Sequence, residues 1–167
     1  MKNANFYVIK DTLASKNMRF VNHLIDLIPQ YAIMYAIAYS FFYYGEFTGD
    51  YALNNYWAEM SRVEDLLYSY FLMFLYYFSI EGFTNRSLGK YITKTMVVME
   101  NGEQPTLSSI FIRSLCRMIP FDALSFLGGG IGWHDSISKT YVVDIYKFER
   151  RKGLNSELDQ IGVEQDI

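Results

Sequence analysis

Five polar side chains recur every three to four residues along an otherwise apolar stretch: Arg19, Asn22, His23, Asp26 and Gln30. In a helix this spacing puts them on one face. Arg19 and Asp26 then lie two turns apart, about 10 Å along the axis. A base, an imidazole and a carboxylate in that order can hold an ion pair, relay a proton or exchange a cation. Residues 31–44 continue as an almost unbroken apolar and aromatic run. An ionisable group in a helix that crosses lipid is costly and faces protein or water, so each is a functional-site candidate. Pro29 removes one backbone donor and frees the Ile25 carbonyl beside Asp26, so a local kink is expected.

Seven more charged or titratable residues join them as candidates: Glu81, Arg86, Lys90, Arg113, Arg117, His134 and Asp135. Asp26 can pair across helices with Arg113 or Arg117, and Arg19 with Asp135 or Glu81. Glu81, Arg86 and Lys90 are placed to brace a turn. Arg113 and Arg117, four apart on one helix face, either pair internally or meet anionic lipid headgroups. His134 is expected to cap or hydrogen-bond nearby backbone. Two readings of the set stand side by side. In one, it is a structural ionic network. In the other, Asp26 exchanges H⁺ or a small cation and His23 relays protons.

Other chemistries find no support. His23, Asp26, His134 and Asp135 are an acceptable metal-ligand set by type, but no His pair has the i, i+4 spacing and nothing fixes the four near one another. Gly82 to Lys90 has the wrong spacing for a phosphate-binding loop, and Tyr91 stands where a Ser or Thr is needed. There is no nucleophile elbow, metalloprotease helix or dinucleotide fingerprint. The expectation is no enzyme, no cofactor and no metal. The single cysteine, Cys116, leaves no internal disulfide. A net charge of −3 argues against a nucleic-acid partner, which calls for a basic face.

The elements that must carry these residues read as follows. Ser15 caps a first helix over residues 19–44, long enough to span a hydrocarbon core of about 30 Å with tilt. Residues 45–65 read as a polar loop whose only basic residue is Arg62, so it should face outward. Residues 66–80, extended by flanks to 63–83, form the second span and return the chain to the cytoplasmic side. Residues 91–99 and 139–147 read as two strands that could pair. Between them, residues 106–118 are helical, Pro120 breaks the helix, and residues 121–133 are apolar with Gly128 to Gly130. Each half is too short to cross. Either 110–131 is one kinked span, or the halves enter and leave on the same side. The basic run Arg150, Arg151, Lys152 prefers the cytoplasm, which favours a re-entrant or interfacial hairpin. A short Phe6 to Ile9 strand precedes Ser15, and the polar tail over 153–167 is expected to be disordered.

Composition agrees with a membrane protein. Apolar residues are 51% and aromatics 18%, with 15 Tyr and 13 Phe, and Tyr favours the membrane–water interface. Mean hydropathy is only +0.02, because charged segments average against apolar spans. The first apolar run is too long and starts too late for a secretory signal. The expected class is therefore an all-α membrane protein: two full transmembrane helices, a broken helical hairpin, and a small cytoplasmic two-strand element, with residues 1–152 as one domain.

Several pieces now form one pattern. Arg19 and Asp26 lie on the first span. Asn85-Arg86-Ser87-Leu88-Gly89-Lys90 follows the second. Pro105-Thr106-Leu107 precedes the helix with Arg113 and Arg117, and His134-Asp135 comes before Thr140 and Val142-Val143. From about residue 15 to 143 the chain resembles the RDD family of small bacterial membrane proteins, named for one arginine and two aspartates. The resemblance implies that Arg19 is the family arginine, Asp26 the first aspartate and Asp135 the second. It also implies a multi-pass protein of the bacterial inner membrane, with the N-terminus cytoplasmic and the C-terminus expected there too. Transport has been suggested for the family, including monovalent cation/proton antiport for some members. Two spans enclose no pathway by themselves, so a homo-oligomer or a membrane-protein partner is expected. The competing role is a membrane scaffold or assembly subunit.

Overall fold

The computed structural model describes residues 8–129 and 131–165. Two long antiparallel helices carry the apolar sequence. The first, α1 (Lys16–Thr48), starts where the Ser15 hydroxyl accepts the Met18 amide at 3.2 Å and ends where Gly49 turns left-handed at φ 75°. It runs through Pro29 as unbroken helix. The other, α3 (Arg62–Thr84), opens on a reciprocal cap between Ser61 and Glu64 and stops at left-handed Asn85. Residues 45–65, expected as a loop, are instead mostly helical. Both long helices extend into them, and a short α2 (Ala52–Ala58) sits between. The reason is packing: Trp57 on α2 meets Phe41 and Tyr68 edge-to-face, with centroids 5.6 and 5.0 Å apart, which ties the turn to both helices.

Both α1 and α3 are long and apolar enough to cross a membrane, and only 6% and 17% of their most apolar windows are buried within the chain. A core helix of a water-soluble protein would be covered. Their outer faces instead present Ile28, Tyr35, Tyr39, Leu67 and Phe71. The interior is the reverse. Arg19, Asn22, Asp26, Glu81, Lys90, Arg113, Asp122, His134 and Asp135 are all buried. Charge inside and hydrocarbon outside is the arrangement for a chain whose solvent is lipid.

The rest of the chain caps the end of the spans that holds the start of α1. A one-turn-plus helix, α4 (Leu88–Ile92), leads into β1 (Thr95–Met99), which pairs antiparallel with β2 (Thr140–Asp144) from Thr95↔Asp144 to Met99↔Thr140. The expected strand pairing is present, but both strands are shorter than expected. Tyr91 belongs to α4, and residues 145–147 begin α8 (Ile145–Gln165). Leu13 bridges to Val143 and extends the ladder. A small apolar core of Val98, Val143 and Phe148 lies under the sheet. The tail after Lys152, expected to be disordered, continues α8 to Gln165, because its Leu, Glu and Gln residues favour helix strongly enough to carry Gly153 and Gly162. The proposed division at Lys152 thus falls inside a helix. Of the expected N-terminal strand only Val8 and Ile9 are described; the Val8 amide donates to the Glu100 carbonyl at 2.9 Å.

Between the strands lie α5 (Leu107–Cys116), α6 (Asp122–Gly129) and α7 (Trp133–Ser138). The chain breaks before Asp122, where Phe121 is left-handed at φ 67°. Ten residues of α5 reach about 15 Å and eight of α6 about 12 Å, so 110–131 is not one continuous helix. Gly130 lies outside the described residues. On α5, Ile110, Arg113 and Ser114 point inward while Leu107, Phe111, Ile112 and Leu115 are exposed. The same inversion therefore extends to the cap.

Candidate functional site

Asp26 anchors one half of the site. It is 1% exposed. Its Oδ1 accepts the Tyr76 hydroxyl at 2.9 Å and the Gly89 amide at 2.8 Å, and its Oδ2 accepts the Tyr77 hydroxyl at 3.3 Å and the Ser87 hydroxyl. Four donors from α3 and α4 saturate a carboxylate that has no cation in contact among the described residues. The expected pairing with Arg113 or Arg117 is therefore corrected. The two tyrosines follow one another on α3 with rings edge-to-face at 5.0 Å, and both hydroxyls reach α1. Gly89 supplies backbone rather than side chain. A β-carbon there would stand 2.3 Å from the Asn22 carbonyl oxygen, so only glycine lets α4 come this close to α1. On the turn nearer the N-terminus, the Asn22 amide pairs with Thr93 and Thr95.

Glu81 is the second centre. Its Oε1 accepts Lys90 Nζ at 2.6 Å and Arg117 Nη2 at 3.1 Å, and its Oε2 accepts Arg113 Nε at 3.1 Å. Glu81 and Lys90 do brace the exit from α3. Arg86 does not join them: it lies over the Tyr91 ring at 5.4 Å and reaches the Met96 sulfur, because α4 turns Lys90 inward and leaves Arg86 at the edge. Arg117 also stacks over Tyr77, 3.7 Å from the ring centroid. Of the two roles open to Arg113 and Arg117, internal pairing is the one observed.

Asp135 is the third centre. Arg113 Nη1 binds its Oδ1 and Arg19 Nη1 its Oδ2, while the Gly132 amide donates to Oδ2 at 3.2 Å. Arg113 Nη1 also donates to Thr140 at 2.8 Å, and Arg19 reaches the Ala14 and Val142 carbonyls. Arg19 therefore takes Asp135 of its two candidate partners. One arginine, Arg113, spans Glu81 on α3 and Asp135 on α7, and so joins the second and third centres. Lys90 Nζ lies 3.4 Å from the Ser87 hydroxyl that serves Asp26, and so joins the first.

His134, expected to cap or hydrogen-bond backbone, instead turns its ring toward two carboxylates, with Nε2 3.4 Å from Asp135 Oδ1. Its Nδ1 lies 2.6 Å from Asp122 Oδ2, and its own amide donates to Asp122 Oδ1 at 3.0 Å. Asp122 was missed as a site residue, although it is the only charge between Met118 and His134 and that isolation was a signal. The hydroxyls of Tyr76, Tyr77, Ser87 and Thr140 were missed too. Two tyrosines among fifteen, and small hydroxyls in a polar stretch, carry no mark of their own. His23 is half-buried beside Asp26, outside every ion pair among the described residues. No group of three or more His, Cys, Asp or Glu side chains among the described residues is arranged to hold a metal.

Four carboxylates (Asp26, Glu81, Asp122, Asp135) thus share the interior with four cations (Arg19, Lys90, Arg113, Arg117). Burial, partly opposed by Asp135, pushes the His134 imidazole down to about 4, so the ring is neutral at pH 7 and the formal charges cancel. Burial alone would raise the Asp135 carboxyl. Arg113, His134 and Arg19 more than offset it and hold it well below the usual range. Burial likewise pulls Lys90 down against the attraction of Glu81.

A family model described as "RDD family" matches residues 13–141. That is most of the chain, and it contains Arg19, Asp26 and Asp135 together with every side chain of the three centres. No curated protein and no solved structure matches. The protein belongs to the RDD family.

Proposed function

We propose that this RDD-family membrane protein is an assembly or scaffold subunit, in which the buried network fastens the cap to the pair of spanning helices. The observation that carries this reading is the saturation of Asp26. Its two oxygens accept four donors from α3 and α4. A proton or cation taken up there has to displace bonds that hold three elements together. Losing a hydrogen bond to a buried charged group costs about 1–3 kcal/mol, which suits a fastener better than a site that loads and unloads. We assign the chain no catalytic reaction.

The exposed apolar faces supply the other half of the reading. Lipid covers part of them, and a second copy or another membrane protein covers the rest. The bilayer is the bacterial inner membrane, with both termini cytoplasmic and α5 to α7 lying as an interfacial or re-entrant hairpin that buries Arg113 and exposes Phe111 and Leu115. The second reading, exchange of a small cation for H⁺, draws on one feature: half-buried His23 stands beside Asp26 at a polar cavity. Cation/proton exchange in proteoliposomes separates the two, measured for wild type and Asp26→Asn together with unfolding temperature. A fastener predicts no exchange above empty vesicles and a lower unfolding temperature in the variant. Exchange by wild type that is lost in an equally stable variant overturns it.

A further inference from the structure

The outer face of α1 carries a pattern that the buried network does not use. Leu24, Ile28, Tyr31, Tyr35, Tyr39 and Phe42 follow one another in steps of three or four residues, so they lie along one face of the helix. All six are exposed, the three tyrosines by 54 to 62%. Exposed Ala32 and Ala36 flank them and leave the helix backbone within reach of a neighbour. Tyr31, Tyr35 and Tyr39 stand about 8, 14 and 20 Å beyond Asp26 along the axis, and the helix stops about 34 Å beyond it, at Gly49. With the network at one membrane surface and Gly49 at the other, Tyr35 falls near the middle of a hydrocarbon layer about 30 Å thick. Tyrosine favours the membrane–water interface, and lipid tails offer its hydroxyl no hydrogen-bond partner. None of the three hydroxyls has a partner among the described residues. On α3, by contrast, the hydroxyls of Tyr76 and Tyr77 bond Asp26, and Leu67, Phe71 and Leu75 are exposed. That face of α3 suits lipid, and the tyrosine face of α1 does not.

We infer that a second copy of this chain docks along the tyrosine face, α1 against α1, inside the bilayer. Copies inserted in the same direction pair about an axis along the membrane normal. That symmetry sets each tyrosine against the same tyrosine of the second copy, at the same depth. A hydroxyl both donates and accepts, so the stripe is complementary to itself. A different protein would have to bring hydrogen-bonding groups at three matching depths. The tyrosine rings also supply the large contact area that aromatic interfaces use. Such docking deepens the assembly role proposed above and rests on the same reading of α1 as a spanning helix. No residue of the ionic network lies on the stripe, so a monomer would leave the fastener intact.

The test uses the full chain in native membranes and in liposomes. Tyr35→Cys is oxidised in membranes beside wild type, whose Cys116 is buried, and beside Phe71→Cys on α3. The expected result is a cross-linked band of twice the chain mass for Tyr35→Cys and none for the other two. In liposomes, energy transfer between donor-labelled and acceptor-labelled copies is followed as lipid is added. The triple variant Tyr31→Phe, Tyr35→Phe, Tyr39→Phe keeps the rings and removes the hydroxyls. It is expected to dissociate at a lipid-to-protein ratio at least tenfold lower than wild type. No dimer band for Tyr35→Cys, a cross-linked band of another mass, or an equally strong dimer for Phe71→Cys overturns the docking. Dissociation of the triple variant together with wild type means that the hydroxyls do not hold the copies, and overturns it too. Should the triple variant fail to fold, the two cysteine variants still decide.

Discussion

The Gly89 amide donates to Asp26 Oδ1 at 2.8 Å across a contact with no room for a β-carbon, since one would stand 2.3 Å from the Asn22 carbonyl oxygen. The obstacle is backbone, not the end of a flexible side chain, so α4 must move away from α1 to admit even a methyl group. Movement lengthens the Gly89 to Asp26 bond and draws Ser87 and Lys90 with it. Gly89→Ala is therefore expected to destabilise the protein by about 2 kcal/mol or more, even though alanine is the better helix former. Thermal unfolding in detergent checks this. A neutral or stabilising outcome removes the close approach from the account.

Glu81 and Asp26 are both fully buried acids, yet they should not be equally sensitive. Asp26 faces three hydroxyls, which can rotate to accept from an amide side chain, and the Gly89 backbone amide, which the amide oxygen can still accept. Glu81 faces Lys90, Arg113 and Arg117, which cannot. Neutralising Glu81 leaves three cations with a weak acceptor. Glu81→Gln is expected to cost about 3–5 kcal/mol, against about 1–3 kcal/mol for Asp26→Asn. Side-by-side unfolding curves, with expression level as a second readout, test the order. The reverse order makes Asp26 the keystone.

Much of this arrangement was legible in the sequence and part of it was not. Arg19 and Asp26 announced themselves as lone charges in an apolar run, and helical spacing alone put them on one face. Their partners were harder. Arg19 meets Asp135 across 116 positions of chain, and nothing local says which of several acids it takes. The hydroxyl cradle of Asp26 was hidden because tyrosine is common in this chain and many of its tyrosines lie on exposed surface. The break at Pro120 was readable. The direction of the halves around it was not, because burial of Arg113 inverts the usual meaning of an amphipathic helix. The α8 tail was misread for the opposite reason: a charged stretch looks disordered when its helix propensity is set aside.

His134 gives the network a pH signature. Its imidazole is pushed down to about 4 by burial, while an unfolded histidine titrates near 6.5. Between these values the unfolded chain binds the extra proton, so stability rises with pH. The contribution is complete above about 6.5, falls as pH drops toward 4, and amounts to about 3 kcal/mol in all. Asp135 acts in a lower window, since its carboxyl is held well below the ordinary range and its contribution is lost only as pH falls beneath about 4. Unfolding temperature followed from pH 7.5 to 4.5 should decline in wild type and flatten in His134→Gln. The opposite slope, with stability lost as pH rises through neutrality, would mean that Asp122 and Asp135 hold the ring charged.

The two ends of the spans differ sharply in charge, and that difference predicts an orientation. Residues 49–61, around α2, contain Asp50 and Glu59 and no Lys or Arg. The opposite end, residues 86–152, contains ten Lys and Arg, of which Lys94, Lys139, Lys147, Arg150, Arg151 and Lys152 are exposed. Basic segments stay cytoplasmic while acidic ones cross freely, so the orientation we propose, with the cap and its network inside and α2 outside, predicts which ends can be labelled. The native Cys116 is buried, which leaves the chain open to single-cysteine mapping. In intact cells, Asp50→Cys is expected to react with a membrane-impermeant maleimide, and Lys152→Cys only after lysis. Labelling of Lys152→Cys from outside would require the segment between α3 and β2 to cross the bilayer a third time. A helix of about 15 Å followed by one of about 12 Å would then have to join end to end across some 30 Å of hydrocarbon, with Arg113 and Asp122 buried partway through.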